Sequence, residues 1–193
     1  MIGVVSDTHV PDRVKNLHPA LIPGLRKAAV QLILHAGDIC EDSVLRAMEP
    51  IAPVVAVQGN RDFLMNGNRD HKNKESIDVR GVKIGLMHGH VGLWRYITEK
   101  FEMMLQGYRF SNYARLTIKT FPSANVIIYG HTHMPENVKT SGKLIMNPGS
   151  AGMGGWGFPP SYGLIRIDEG GNCEGEIVQL TGATRRNGNW VQN

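Results

Sequence analysis

Five short apolar runs mark the chain up to residue 133, and each leads directly into a polar residue of a restricted kind. IGVVS at 2–6 leads to Asp7 and His9, LILHAG at 32–37 to Asp38, and VVAVQG at 54–59 to Asn60. VKIGLM at 82–87 leads to His88, and NVIIY at 125–129 to His131 and His133. Runs this short, rich in Val and Ile and closed by Gly or turn residues, predict buried strands rather than helices.

Helical patterns fill the gaps. Leu21 to Val30 and Asp42 to Met48 have helical composition, with Pro19 and Asp42 as start signals and Pro50 and Pro53 preventing extension of the second. Strand, helix, strand in succession implies βαβ units and a partly parallel sheet. From Leu93 to Thr120 the pattern is helical again, with Leu93, Ile97, Phe101 and Leu105 on one face. That stripe, with Trp94, Met103 and Met104, reads as core or a subunit contact before it reads as a pocket wall. Beyond His133, VKTSGKLIMN predicts a hairpin through Ser141 and Gly142, and SYGLIRID and EIVQL add strands, so a second, more antiparallel sheet is expected. The polar stretches 65–75 and 184–193 read as exposed loop and tail, leaving one domain over 1–183. The glycine-rich GMGGWGFPP at 152–160 reads as a flap carrying Trp156 and Phe158.

A chain of 193 residues, 41% hydrophobic and 20% charged, can bury a core without staples, and no apolar run is long enough to cross a bilayer. MIGVVSDTH lacks the basic region and cleavage site of a signal peptide, so a cytoplasmic protein is expected. Cys40 and Cys173 have no CxxC spacing, which argues against a thiolate site or a disulfide framework. A net charge of +4 and a pI near 9.2 favour anionic substrates only weakly.

Ligands bind beyond the carboxyl ends of parallel strands, so five runs ending in ligand-type residues bring those residues to one edge. In Asp7-Thr-His9 and His131-Thr-His133 the ligand types stand at i and i+2, which in an extended segment share a side. Imidazoles, carboxylates and an amide favour Mn, Fe, Co, Ni or Zn over Ca. Two such ions roughly 3.5–4 Å apart suit in-line hydrolysis of a phosphoester. His35 reads as a partner that orients Asp38, and His18 and His71 as solvent-facing residues. NPGS at 147–150 either offers backbone N–H groups to phosphate or simply turns the chain.

The ordered motifs DxH, GD, GN, HGH and GHTH, followed by NPGS, resemble the calcineurin-like metallophosphoesterase superfamily over roughly residues 1 to 180. Within it, HAGD at 35–38 and NPGS with the following PSYGLI resemble the small single-domain bacterial and archaeal phosphodiesterases, a branch similar to a retromer scaffold subunit. The resemblance implies an α/β fold, a four-layer αββα sandwich of two mixed β-sheets flanked by helices. It implies one divalent ion among Asp7, His9, Asp38 and His133 and another among Asp38, Asn60, His88 and His131, with Asp38 bridging. Manganese is the first expectation, with Fe, Zn, Ni or Co as alternatives.

The expected activity is attack of a metal-bridging hydroxide on a small phosphodiester or phosphomonoester. His90 is implied near the second ion, contacting phosphate or water. Many relatives carry His after the GN pair, whereas this chain has Arg61, which cannot donate a proton at working pH. Arg61 is therefore expected to clamp a phosphate oxygen, leaving water or His90 to protonate the leaving group. Absence of a basic stripe or capping domain argues against long nucleic acid, and homodimers or tetramers are suggested by resemblance. The competing reading is a scaffold that kept the fold and lost catalysis, against which the intact ligand set argues.

Overall fold

The computed structural model describes residues 1–64, 71–89 and 109–192. Two five-stranded mixed sheets pack face to face. The first has the order β10-β9-β1-β2-β3, from β1 (Ile2–Val5), β2 (Leu32–His35), β3 (Val54–Ala56), β9 (Ser161–Ile167) and β10 (Cys173–Gln179). The second has the order β4-β5-β6-β8-β7, from β4 (Lys74–Val79), β5 (Val82–Met87), β6 (Val126–Ile128), β7 (Glu136–Thr140) and β8 (Lys143–Asn147).

Period-two alternation explains the layering. Ile2, Val4, Leu34, Val126 and Ile128 point into the core between the sheets with Ile84, Leu86 and Met146. The intervening Val5 and Ile33 face outward beneath α1 (Leu21–Lys27) and α2 (Ser43–Met48), against Leu21, Leu25, Val44 and Met48. On the other side Ile127 and Ile145 pack under α4 (Phe110–Thr120) with Tyr113 and Ala114. Strands buried on both faces need no polar alternation, which is why the runs read as continuously apolar. A fourth short helix, α3 (Asn60–Leu64), follows β3.

All five predicted strands are present. β1, β2 and β3 are mutually parallel, as are β5, β6 and β8, so two sets of carboxyl ends are available. α1 stops at Lys27 rather than Val30 because Ala29 turns left-handed at φ 49°. The Val30 N–H then donates to the Leu25 carbonyl and the Ala29 N–H to that of Arg26, a Schellman end. Of the helix expected over 93–120, Phe110–Thr120 is observed; Leu93, Trp94, Ile97, Phe101, Met103, Met104, Leu105 and His90 lie outside the described residues.

The expectation of a second, more antiparallel sheet built from the segments after His133 holds only for β7 and β8. β7 and β8 form the predicted hairpin, but β8 lies parallel to β6 in the second sheet, while β9 returns to pair antiparallel with β1 in the first. The chain end also differs from a loose tail: β11 (Ala183–Arg186) and β12 (Asn189–Gln192) pair as a hairpin. It is fastened to the loop after β1, where Trp190 Nε1–H donates to the Asn16 carbonyl at 2.8 Å.

Leu34 is fully buried between the sheets. Leu34→Ala should therefore lower the unfolding free energy by about 2–5 kcal/mol, read from urea transitions of chelator-treated protein. A loss below about 1 kcal/mol would mean that the two sheets do not meet there as a packed core.

Candidate metal centre

The loops beyond β1, β2 and β6 are not extended. Asp7 (φ 52°), His9 (φ 51°), Asp38 (φ 55°), His131 (φ 71°) and His133 (φ 58°) all occupy the left-handed region. Each such non-glycine residue costs about 1–3 kcal/mol, and strain of this kind clusters at functional sites. This corrects the i, i+2 argument: Asp7 and His9 approach to 3.8 Å through a coiled rather than an extended backbone, while His131 and His133, likewise left-handed, face different partners, Asn60 and Asp7.

Seven predicted residues come together from both sheets. On one side His133 Nε2 lies 3.3 Å from Asp7 Oδ1 and 3.1 Å from His9 Nε2, while His9 Nε2 is 3.8 Å from Asp7 Oδ1. On the other, Asn60 Oδ1 lies 3.1 Å from His88 Nε2 and 3.0 Å from His131 Nδ1. Asp38 faces both, with Oδ2 3.8 Å from His9 Nε2 and Oδ1 3.4 Å from His88 Nε2. Asp7 is wholly buried, and among the described residues its Oδ1 takes no hydrogen bond, facing only the His133 and His9 ring nitrogens. An orphaned buried carboxylate oxygen among imidazole nitrogens fits a cation. Asp7, His9 and His133 offer ligand atoms within 4.8 Å of one another, as do Asp7, Asp38 and His88.

Backbone carbonyls orient two of the rings. His88 Nδ1–H donates to Ala36 O at 2.7 Å and His133 Nδ1–H to Gly154 O at 3.1 Å, so both Nε2 atoms face the cluster. Burial disfavours a charged His88, yet Asp38, Asp7 and the Ala36 carbonyl together raise it to about 10. His133 is raised in the same way, Asp7 overcoming burial. His9 goes the other way, burial outweighing Asp7 and Asp38. Burial would raise Asp7 and Asp38, but the histidines, His133 above all for Asp7 and His88 for Asp38, hold both below the ordinary carboxylate value.

A shell of hydrogen bonds positions these groups. Asp62, 2% exposed, accepts from the backbone N–H groups of Asp38 (3.1 Å), Cys40 (2.6 Å) and Gly59 (2.7 Å). His35 accepts the Gly37 N–H at Nδ1 and donates from Nε2 to Thr8 Oγ1, which bonds the Asp38 carbonyl, so it acts on Asp38 through the loop backbone. Burial pulls the His35 imidazole down to about 3, keeping it neutral. NPGS ties loops together: Asn147 Nδ2 donates to Gly130 O and Thr132 Oγ1, and Ser150 Oγ donates to Asp7 O. Arg61 donates its backbone N–H to Asp38 Oδ1 at 2.7 Å and sets its Nε 3.7 Å from Asp12 Oδ2. His18 is not solvent-facing: it is 1% exposed, its ring edge against Trp190. Asp12 and Asp62 escaped the sequence reading; the only signal for Asp62 was its place two residues after Asn60.

A two-sheet α/β sandwich that gathers His, Asp and Asn side chains at the joined carboxyl ends has the donor set of a divalent-metal site. The sequence profile of the calcineurin-like phosphoesterase superfamily domain matches residues 1–170, and the chain belongs to that family. A probable metallophosphoesterase of Methanothermobacter thermautotrophicus is 34% identical over 183 residues, 95% of this chain and 94% of that protein. A phosphodiesterase of Methanocaldococcus jannaschii is 26% identical over 159 residues, 77% of this chain and 82% of the relative. Among solved structures, zinc-bound wild-type Vps29 of Entamoeba histolytica has a TM-score of 0.68 at 23% identity, covering 93% of this chain and 99% of its own. Phosphoester hydrolysis with divalent metal is the chemistry of the class.

Two measurements check the geometry. A cation at His88 Nε2 must displace the proton that Asp38 and Asp7 hold there, so apparent metal affinity should rise with pH from 6 to 9 with about one proton released per His88 site filled. Calorimetry in buffers of different ionisation enthalpy reads this, and pH-independent binding without proton release would contradict it. Asp62→Ala frees three N–H groups around Asp38 and should weaken metal binding by about 10–100-fold, measured by competition with a chromophoric chelator.

Proposed function

We propose that the chain hydrolyses small phosphodiesters with two divalent ions, one held by Asp7, His9, Asp38 and His133 and the other by Asp38, Asn60, His88 and His131. The observation that carries this reading is the placing of Asp38, whose two oxygens face the two halves of the cluster. Such a pair of ions, when bound, supplies an acidified water and offsets charge on the attacking and leaving oxygens of an in-line displacement.

The protein's own residues do the rest. Asp62 and the Arg61 N–H hold Asp38 in its bridging place. The Ala36 and Gly154 carbonyls fix the rings of His88 and His133. Arg61, 28% exposed at the side chain, stands at the rim and clamps a phosphate oxygen. Because guanidinium cannot give up its proton, the leaving group takes one from water or from His90. Manganese, a cytoplasmic location and a homo-oligomer belong to the same reading; among the described residues no helix is long and apolar enough to cross a membrane.

The likeness to Vps29 favours a second reading, a scaffold that binds proteins. Retention of both carboxylates and all four histidines of the cluster supports catalysis instead. The experiment is hydrolysis of bis(p-nitrophenyl) phosphate by chelator-stripped protein against added Mn²⁺. Turnover should return with metal and vanish in Asp38→Ala and His88→Ala; metal binding without turnover on this or a monoester substrate would favour the scaffold. Across aryl phosphodiesters, kcat should fall steeply as leaving-group pKa rises where water is the proton source, and a flat dependence would assign the proton to a general acid such as His90.

A further inference from the structure

The rings of His88 and His133 are each fixed by a carbonyl at the nitrogen that faces away from the cluster. Among the described residues His9 has no such carbonyl. Its outer nitrogen, Nδ1, is buried without a hydrogen bond among the described residues, and 3.9 Å away lies Asp12 Oδ2, likewise buried and without one. The loop creates this juxtaposition: the N–H groups of Arg13 and Val14 both donate to the His9 carbonyl, folding Asp12 back beside the ring. The same carboxylate oxygen is approached by Arg13 Nε at 3.3 Å and Arg61 Nε at 3.7 Å.

We propose that Asp12 is a positioning residue of the metal centre: its Oδ2 accepts the Nδ1–H of His9, presenting a bare Nε2 to the cluster, and also anchors Arg61 at the rim. This rests on the dinuclear reading above. An imidazole can ligate through Nε2 only if that nitrogen is unprotonated, and the partner of Nδ1 decides the tautomer. Left without Asp12, the His9 proton has competing acceptors at Nε2, since Asp7 Oδ1 and Asp38 Oδ2 both lie 3.8 Å from it. A carboxylate at Nδ1 draws the proton to the outer side, and the 3.9 Å gap closes by about 1 Å to reach a charge-assisted hydrogen bond.

The alternative is that His9, Asp12 and Cys40, whose ligand atoms also lie within 4.8 Å of one another, hold a further cation. Two guanidinium groups beside Asp12 Oδ2 oppose that, and burial together with the Asp62, Asp38 and Asp12 carboxylates keeps the Cys40 thiol protonated.

The test is nitrogen-15 NMR of the zinc-loaded protein, with His9 assigned by its loss in His9→Gln, together with Mn²⁺ titration by calorimetry. The wild type should carry its His9 proton on Nδ1 and bind two ions. Asp12→Asn should weaken one ion by about 10–100-fold and leave the other unchanged. Asp12→Ala should lose more, because the amide oxygen of Asn still accepts Nδ1–H, and Arg61→Met should leave both affinities unchanged. A proton on Nε2, wild-type affinities in both Asp12 variants, or a third ion lost in Asp12→Asn and Cys40→Ser would overturn the assignment. Failure of the wild type to bind two ions strikes the dinuclear reading itself; two ions bound equally in wild type and variants strikes Asp12 alone. If the variants do not fold, the wild-type tautomer decides.

Discussion

Two carboxylates, Asp7 and Asp38, are held almost without solvent where the carboxyl ends of the two sheets meet. A buried carboxylate is costly by several kcal/mol unless an opposite charge answers it, and this constraint organises the rest of the molecule. Four imidazoles and an amide are drawn in around them from four strand ends, those of β1, β3, β5 and β6. In return the two carboxylates push the His88 and His133 imidazoles toward their charged forms.

Holding these groups against their tendency to hydrate requires rigid support, and the structure supplies it from the backbone. Short strands buried on both faces fix the loop origins, and left-handed residues at their ends fold ligand side chains into a volume that an extended loop could not reach. Hydrogen bonds then cross from loop to loop: Asp62 to the Asp38 loop, Asn147 to the GHTH loop, and Ser150 to the Asp7 carbonyl. The strain of five left-handed residues is therefore borne by the whole sandwich.

The legible parts were those with a one-dimensional signature. Doubly buried strands are compact runs of Val, Ile and Leu, and the ligand types that follow them are few, so strand ends and ligands could be located together. β4 was not legible, because KESIDV is an edge strand half open to solvent and is identified only by its register against β5. The coiled conformation at Asp7 and His9 was invisible, since a left-handed residue outside glycine leaves little mark on composition. Asp62 was unreadable for another reason: its role depends on lying beside Asp38, 24 residues away, and aspartate two positions after a ligand is otherwise unremarkable. His18 looked polar and was found buried because the terminal hairpin covers it.

The central position of β1 has a temporal consequence. Its neighbours are β2 and β9, and Val4 pairs with Gly163 across most of the length of the chain. During synthesis the segment carrying Asp7 and His9 emerges well before its partner β9, and one edge of its strand stays unpaired until residues beyond 160 follow. Contacts so distant in sequence form late. The loop carrying Asp12 and Arg13 gains the fastening of Trp190 against Asn16 only when residues near 190 have followed. Asp7 and His9, made before the other residues of the cluster, are thus locked only after β9, the strand that flanks theirs, has followed.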